Sequence, residues 1–80
     1  MKTVKIRLST IADVRDFVNI ANQSDVDIDL VSGRYVVDAK SIMGIFSLDL
    51  MSPIELTAQT NDEAVIAALL EKIAPFIVNE

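Results

Sequence analysis

Val4, Ile6 and Leu8 stand between Thr3, Lys5 and Arg7, the two-residue period of a strand with one buried and one wet face. A strand is predicted from Lys2 to Leu8. The period then lengthens. Ile11, Val14, Phe17, Val18 and Ala21 recur at helical spacing, behind hydroxyls at Ser9 and Thr10 and with Asp13 in the first turn. Such hydroxyls accept from N–H groups that have no partner inside a helix, and an early carboxylate suits its positive end. This helix is expected to end near Asn22. Val26, Ile28 and Leu30 alternate with Asp25, Asp27 and Asp29, Ser32-Gly33 signals a tight turn, and Tyr35, Val36 and Val37 begin a β-prone return. A hairpin is predicted there.

Ser41 to Leu48 opens on an N-cap serine and has length for about two helical turns. Pro53 then punctuates the chain, and Ile54, Leu56 and Ala58 alternate with Glu55, Thr57 and Gln59 as a further strand. Thr60 with Glu63 has the spacing of a capping box. The helix it would open carries a core stripe of Val65, Ala68, Leu69 and Ile73, widened by Ile66 and Leu70. Pro75 removes a donor, so the tail beyond it is expected to fray. The order βαββαβα, with one apolar face per strand, predicts an α+β open-faced sandwich: a four-stranded antiparallel sheet with three helices on one face. No linker, repeat or low-complexity stretch divides residues 1–80, which read as a single domain.

A chain of 80 residues buries only about 60% of its unfolded surface, and without cysteine neither disulfides nor thiolate metal sites reinforce its core. The net charge of -5 opposes nucleic acid as a partner, since phosphates require clustered Lys and Arg. The start MKTVKIRLST has no apolar signal-peptide run, and no segment approaches the roughly 18 apolar residues of a membrane span. A cytoplasmic protein without membrane contact is expected. Neither His nor Cys is present, and Asp, Glu and Lys fall in no recognisable catalytic arrangement, so no enzyme activity and no cofactor are expected. Asp25, Asp27 and Asp29 invite a calcium reading, but an EF-hand loop would need Gly where Leu30 stands and Glu where Val36 stands. They read as the wet face of a strand.

The segment Ala39-Lys40-Ser41-Ile42-Met43-Gly44-Ile45-Phe46-Ser47-Leu48 resembles the regulatory-serine segment of HPr, the phosphocarrier of the bacterial phosphoenolpyruvate-dependent sugar phosphotransferase system. The element order extends this resemblance over essentially the whole chain. It implies a sheet order one-four-two-three. It also implies that Ser41 is the acceptor for an ATP-dependent HPr kinase/phosphorylase-like enzyme, and that the modified protein joins a transcriptional regulator in carbon catabolite repression. Ile42, Met43 and Phe46 map onto the family's patch for protein partners. The departure lies upstream. The family's relay motif is a Gly-X-His-Ala-Arg-Pro-like run, and this chain has Ser9-Thr10-Ile11-Ala12-Asp13, with Thr10 at the place of the histidine. A phosphohistidine cannot form, and a threonine phosphoester is too poor a donor to replace it. Asp13 puts negative charge where an incoming phosphoryl group needs positive surroundings, and Arg15 compensates only in part. The chain is therefore similar to the histidine-lacking catabolite-repression HPr-like proteins, which act in regulation.

Each of these residues also has a plainer reading. Ser41 suits a helix cap, Ile42, Met43 and Phe46 suit the core of a short helix, and Lys40 suits an ordinary wet surface as well as a phosphate or kinase contact. Two functional classes follow: a serine-phosphorylated regulator, and a constitutive protein-interaction module that keeps fold and patch without phosphorylation. A relic fold, the third possibility, would expose no apolar patch.

Overall fold

In the computed structural model, which describes residues 2–78, the alternating first segment is strand β1, Lys2–Ile6. It stops short of the predicted Leu8, which is fully buried beyond the strand end. Helix α1 spans Ile11–Asn22 and turns Val14, Phe17, Val18 and Ala21 into the core. Strands β2, Ile28–Ser32, and β3, Tyr35–Asp38, form the hairpin. Its two-residue loop is Gly33-Arg34, between the paired Ser32 and Tyr35. Gly33 has φ +60°, and a single positive φ at the first loop residue is the requirement of a type II′ turn, which glycine meets without strain.

Helix α2 is Ile42–Phe46, β4 is Ile54–Ala58 and α3 is Glu63–Ile73, followed by a 3-10 turn at Ala74–Phe76. All strand pairs are antiparallel, in the order β1-β4-β2-β3. This is the sheet order implied by the family resemblance. Val4, Leu56, Leu30 and Val37 form one row across the sheet on the core side. On the opposite side Thr3 and Thr57 share a 3.1 Å hydrogen bond and Gln59 Nε2 donates to Asp29 at 2.8 Å. Phe17 and the fully buried Ile6, Leu8, Ile28, Ile45, Ile54 and Ile73 fill the layer between sheet and helices.

Three expectations for the C-terminal half change. The capping box of Thr60 and Glu63 does not form. Asp62 is the N-cap of α3 and accepts from Ala64 N at 3.0 Å and Val65 N at 3.4 Å, while Thr60 Oγ1 accepts from Asp62 N at 3.1 Å. Among the expected stripe residues of α3, Leu69 and Ile73 are buried, Val65, Ile66 and Leu70 are half-buried and Ala68 is exposed. The tail does not fray through Val78. Arg7 N donates to Phe76 O at 2.8 Å and Val78 N to Lys5 O at 2.9 Å, and Ile77 bridges Ile6. Pro75 sits inside the 3-10 turn, where its fixed φ is tolerated. The turn delivers the Phe76 ring edge-on to Phe17, with 6.1 Å between centroids.

Candidate functional site

Ser41 has extended backbone, with φ -100° and ψ 103°, as an N-cap does before the first helical residue. Its Oγ accepts from Gly44 N at 3.1 Å, and its carbonyl accepts from Ile45 N at 3.0 Å. Asp38 shapes the approach. Its carboxylate accepts from Lys40 N at 2.8 Å and its carbonyl from Ser41 N at 3.0 Å. The chain thus turns from β3 into α2 within the reach of one aspartate, and Ser41 stays exposed.

Gly44 has a steric role here. A Cβ at this position would lie 3.1 Å from Ser41 Oγ and 3.2 Å from Val37 Cβ. Its absence lets α2 sit closely on β3 and keeps the serine hydroxyl over the helix start. Ile45 turns fully inward. Ile42, Met43 and Phe46 retain 37%, 78% and 42% exposure, so the patch is on the surface and the core reading of these residues does not hold. Lys40, expected at a wet surface, is half-buried.

Thr10 caps α1. Its Oγ1 accepts from Asp13 N at 3.0 Å, and Asp13 Oδ2 accepts from Ser9 N at 3.0 Å and Thr10 N at 3.3 Å. A carboxylate of the protein itself therefore fills the positive end of this helix, where anions otherwise bind. Arg15 is exposed. The helical spacing places Ile11 in the apolar stripe, but the residue, the first of α1, is 71% exposed. Met51 is exposed as well. Its carbonyl accepts from Arg7 Nη1 at 3.2 Å, which ties the loop before β4 to the chain leading into Thr10. Met51 lies in a loop without periodicity, and Ile11 keeps the helical period, so neither residue carries a sequence signal of exposure.

Of the three aspartates considered for calcium, Asp25 and Asp27 are exposed ahead of β2 and Asp29 lies within it, bonded to Gln59. Among the described residues no group of three His, Cys, Asp or Glu is placed to hold a metal ion. No helix among them is long and apolar enough to cross a membrane.

The family model described as "PTS HPr component phosphorylation site" matches residues 12–77. Among solved structures the chain is similar to HPr-C-His from Thermoanaerobacter tengcongensis, at 32% identity over 92% of each chain and TM-score 0.74. A phosphocarrier protein HPr from Bacillus anthracis has 32% identity over 90% of this chain and 93% of its own, with TM-score 0.66. The Bacillus subtilis catabolite repression containing protein Crh, a swapped dimer in its crystals, has 26% identity over 92% of this chain and 88% of its own, with TM-score 0.64. Curated protein sequences give no significant match.

Proposed function

Because the chain belongs to the HPr family of the sugar phosphotransferase system, we propose that it is a regulatory member, phosphorylated on Ser41 and recognised through Ile42, Met43 and Phe46 in carbon catabolite control. The observation that carries this reading is an exposed seryl hydroxyl adjoining an exposed apolar patch, in a chain that contains no histidine. In the modification step the γ-phosphoryl group of ATP passes to Ser41 Oγ. The bond to the β-phosphate oxygen breaks, ADP leaves, and the hydroxyl proton goes to a base of the kinase. The product carries about -1.5 to -2 charges next to the Gly44 N–H that now bonds the hydroxyl. Phosphate then alters the electrostatics of a surface whose apolar part is already exposed. A partner that reads both features, such as a transcriptional regulator with a basic contact, would bind the modified form selectively.

The test is capture of such a regulator on immobilised protein. Binding by the kinase-treated protein, with none by untreated protein or by kinase-treated Ser41→Ala, is the expected result. Equal capture by all three would support the second reading, the constitutive interaction module. Two observations favour that alternative: Ser41 Oγ already has a structural task as the α2 cap, and the patch is exposed without phosphate.

A further inference from the structure

A sheet of four strands has two edges, and in this fold they are treated differently. The outer edge of β1 is covered by the tail, through the bonds of Arg7 N to Phe76 O and Val78 N to Lys5 O and the Ile6–Ile77 bridge. The outer edge of β3 has no such strap among the described residues. Edge strands are ordinarily blunted by lysine, proline or a bulge, and Tyr35-Val36-Val37-Asp38 contains neither lysine nor proline. Tyr35 and Val36 are 67% and 63% exposed.

The β2–β3 register identifies the backbone groups left over. Ser32 pairs with Tyr35 across a two-residue loop, Leu30 with Val37, and Ala39 N donates to Ile28 O at 2.9 Å. In an antiparallel ladder bonded residues alternate with those whose N–H and C=O point away. Tyr35, Val37 and Ala39 therefore face β2, and Val36 and Asp38 face outward. The Asp38 carbonyl accepts from Ser41 N, which leaves the Arg34 C=O, opposite in direction to the Tyr35 N–H of the same peptide, the Val36 N–H and C=O and the Asp38 N–H for a new strand.

We propose that β3 is a self-pairing edge, at which two copies of this chain join antiparallel about a two-fold axis through Val36 and extend the sheet across both molecules. In this register the Val36 N–H of each copy bonds the Val36 carbonyl of the other, and Asp38 N–H bonds the Arg34 carbonyl opposite. Arg34 and Asp38 then face each other twice, once on each side of the axis. The Arg34 guanidinium has no hydrogen bond or ion pair within the described chain. Opposite charges directly across a strand pair favour association and like charges oppose it. The neighbouring registers fit less well. One centred on Val37 needs the Asp38 carbonyl that Ser41 N already uses, and one centred on Tyr35 leaves Asp38 without a counter-charge. Self-complementarity of both hydrogen bonds and charges selects a second copy as the occupant. The contact is one short strand, so association is weak and concentration-dependent.

Sedimentation equilibrium over a concentration series tests the proposal, with circular dichroism confirming the fold of each variant. The wild type is expected to self-associate. Val36→Pro removes an N–H that has no partner in the monomer and is expected to weaken association at least about tenfold. Arg34→Asp and Asp38→Arg alone are each expected to weaken it, since each homodimer then sets like charges face to face. An equimolar mixture of these two variants restores both opposite-charge pairs and is expected to associate more tightly than either alone. A wild type that stays monomeric to about 1 mM would overturn the proposal. So would Val36→Pro associating as the wild type does, as a strand-exchanged dimer would, or a mixture no tighter than its components.

Discussion

At the head of α1, Thr10 and Asp13 satisfy each other's backbone. Replacing Thr10 by Ala removes one side of this box and is expected to cost about 1 kcal/mol in urea denaturation; no change in midpoint would show that the box does not bear on stability. The same geometry argues against a simple return to the histidine relay. Thr10→His alone leaves Asp13 Oδ2 on the Ser9 and Thr10 N–H groups, so that a carboxylate beside the introduced imidazole would repel an incoming phosphoryl group. It is expected to stay unphosphorylated by phosphoenolpyruvate and enzyme I, and Thr10→His with Asp13→Ala is expected to gain an acid-labile phosphate. Full phosphorylation of the single variant would contradict this account of Asp13. At Ser41 the cap and the proposed acceptor are one oxygen, so Ser41→Ala should lose about 1 kcal/mol of stability as well as the modification site.

Among the elements, α3 separates spacing from geometry. Thr60 and Glu63 have the spacing of a capping box, yet Asp62 takes the N-cap, because its carboxylate is closer to the N–H groups of the first turn and Thr60 is occupied in the turn before it. Asp62→Ala is therefore expected to cost about 1 kcal/mol and Thr60→Ala less, as read from denaturation midpoints; the reverse order would restore the spacing-based assignment. The strand alternation and the α1 stripe were legible because burial on one face imposes a period that local sequence must follow. The tail was not legible. A proline predicts interruption, but the partner that re-orders the chain is β1, about 70 residues away in sequence. Phe76→Ala, which removes the ring packed against Phe17, is expected to cost about 2–3 kcal/mol; an unchanged midpoint would show that the tail contributes nothing to the fold.

For the whole molecule, the core is a single layer between sheet and helices, and no polar or charged side chain among the described residues is buried in it. A domain of this size has a total stability of roughly 4–12 kcal/mol, and Leu30, fully buried in the interior strand β2, supports a large part of the layer. Leu30→Ala is expected to remove about 3 kcal/mol at an unchanged urea m-value. With the core confined to one side of the sheet, the site depends on what the fold leaves exposed. Ser41 and its segment were readable from the family resemblance. The exposure of Ile42, Met43 and Phe46 depends on how α2 seats on β3 through Gly44, which is a tertiary property.

The central claim, that this HPr-family chain is a serine-phosphorylated regulator, is tested most directly by intact mass spectrometry after incubation with ATP and an HPr kinase, beside an authentic HPr as positive control. A single addition of about 80 Da on the wild type, absent from Ser41→Ala, is the predicted result. An unmodified chain beside a modified control would contradict it.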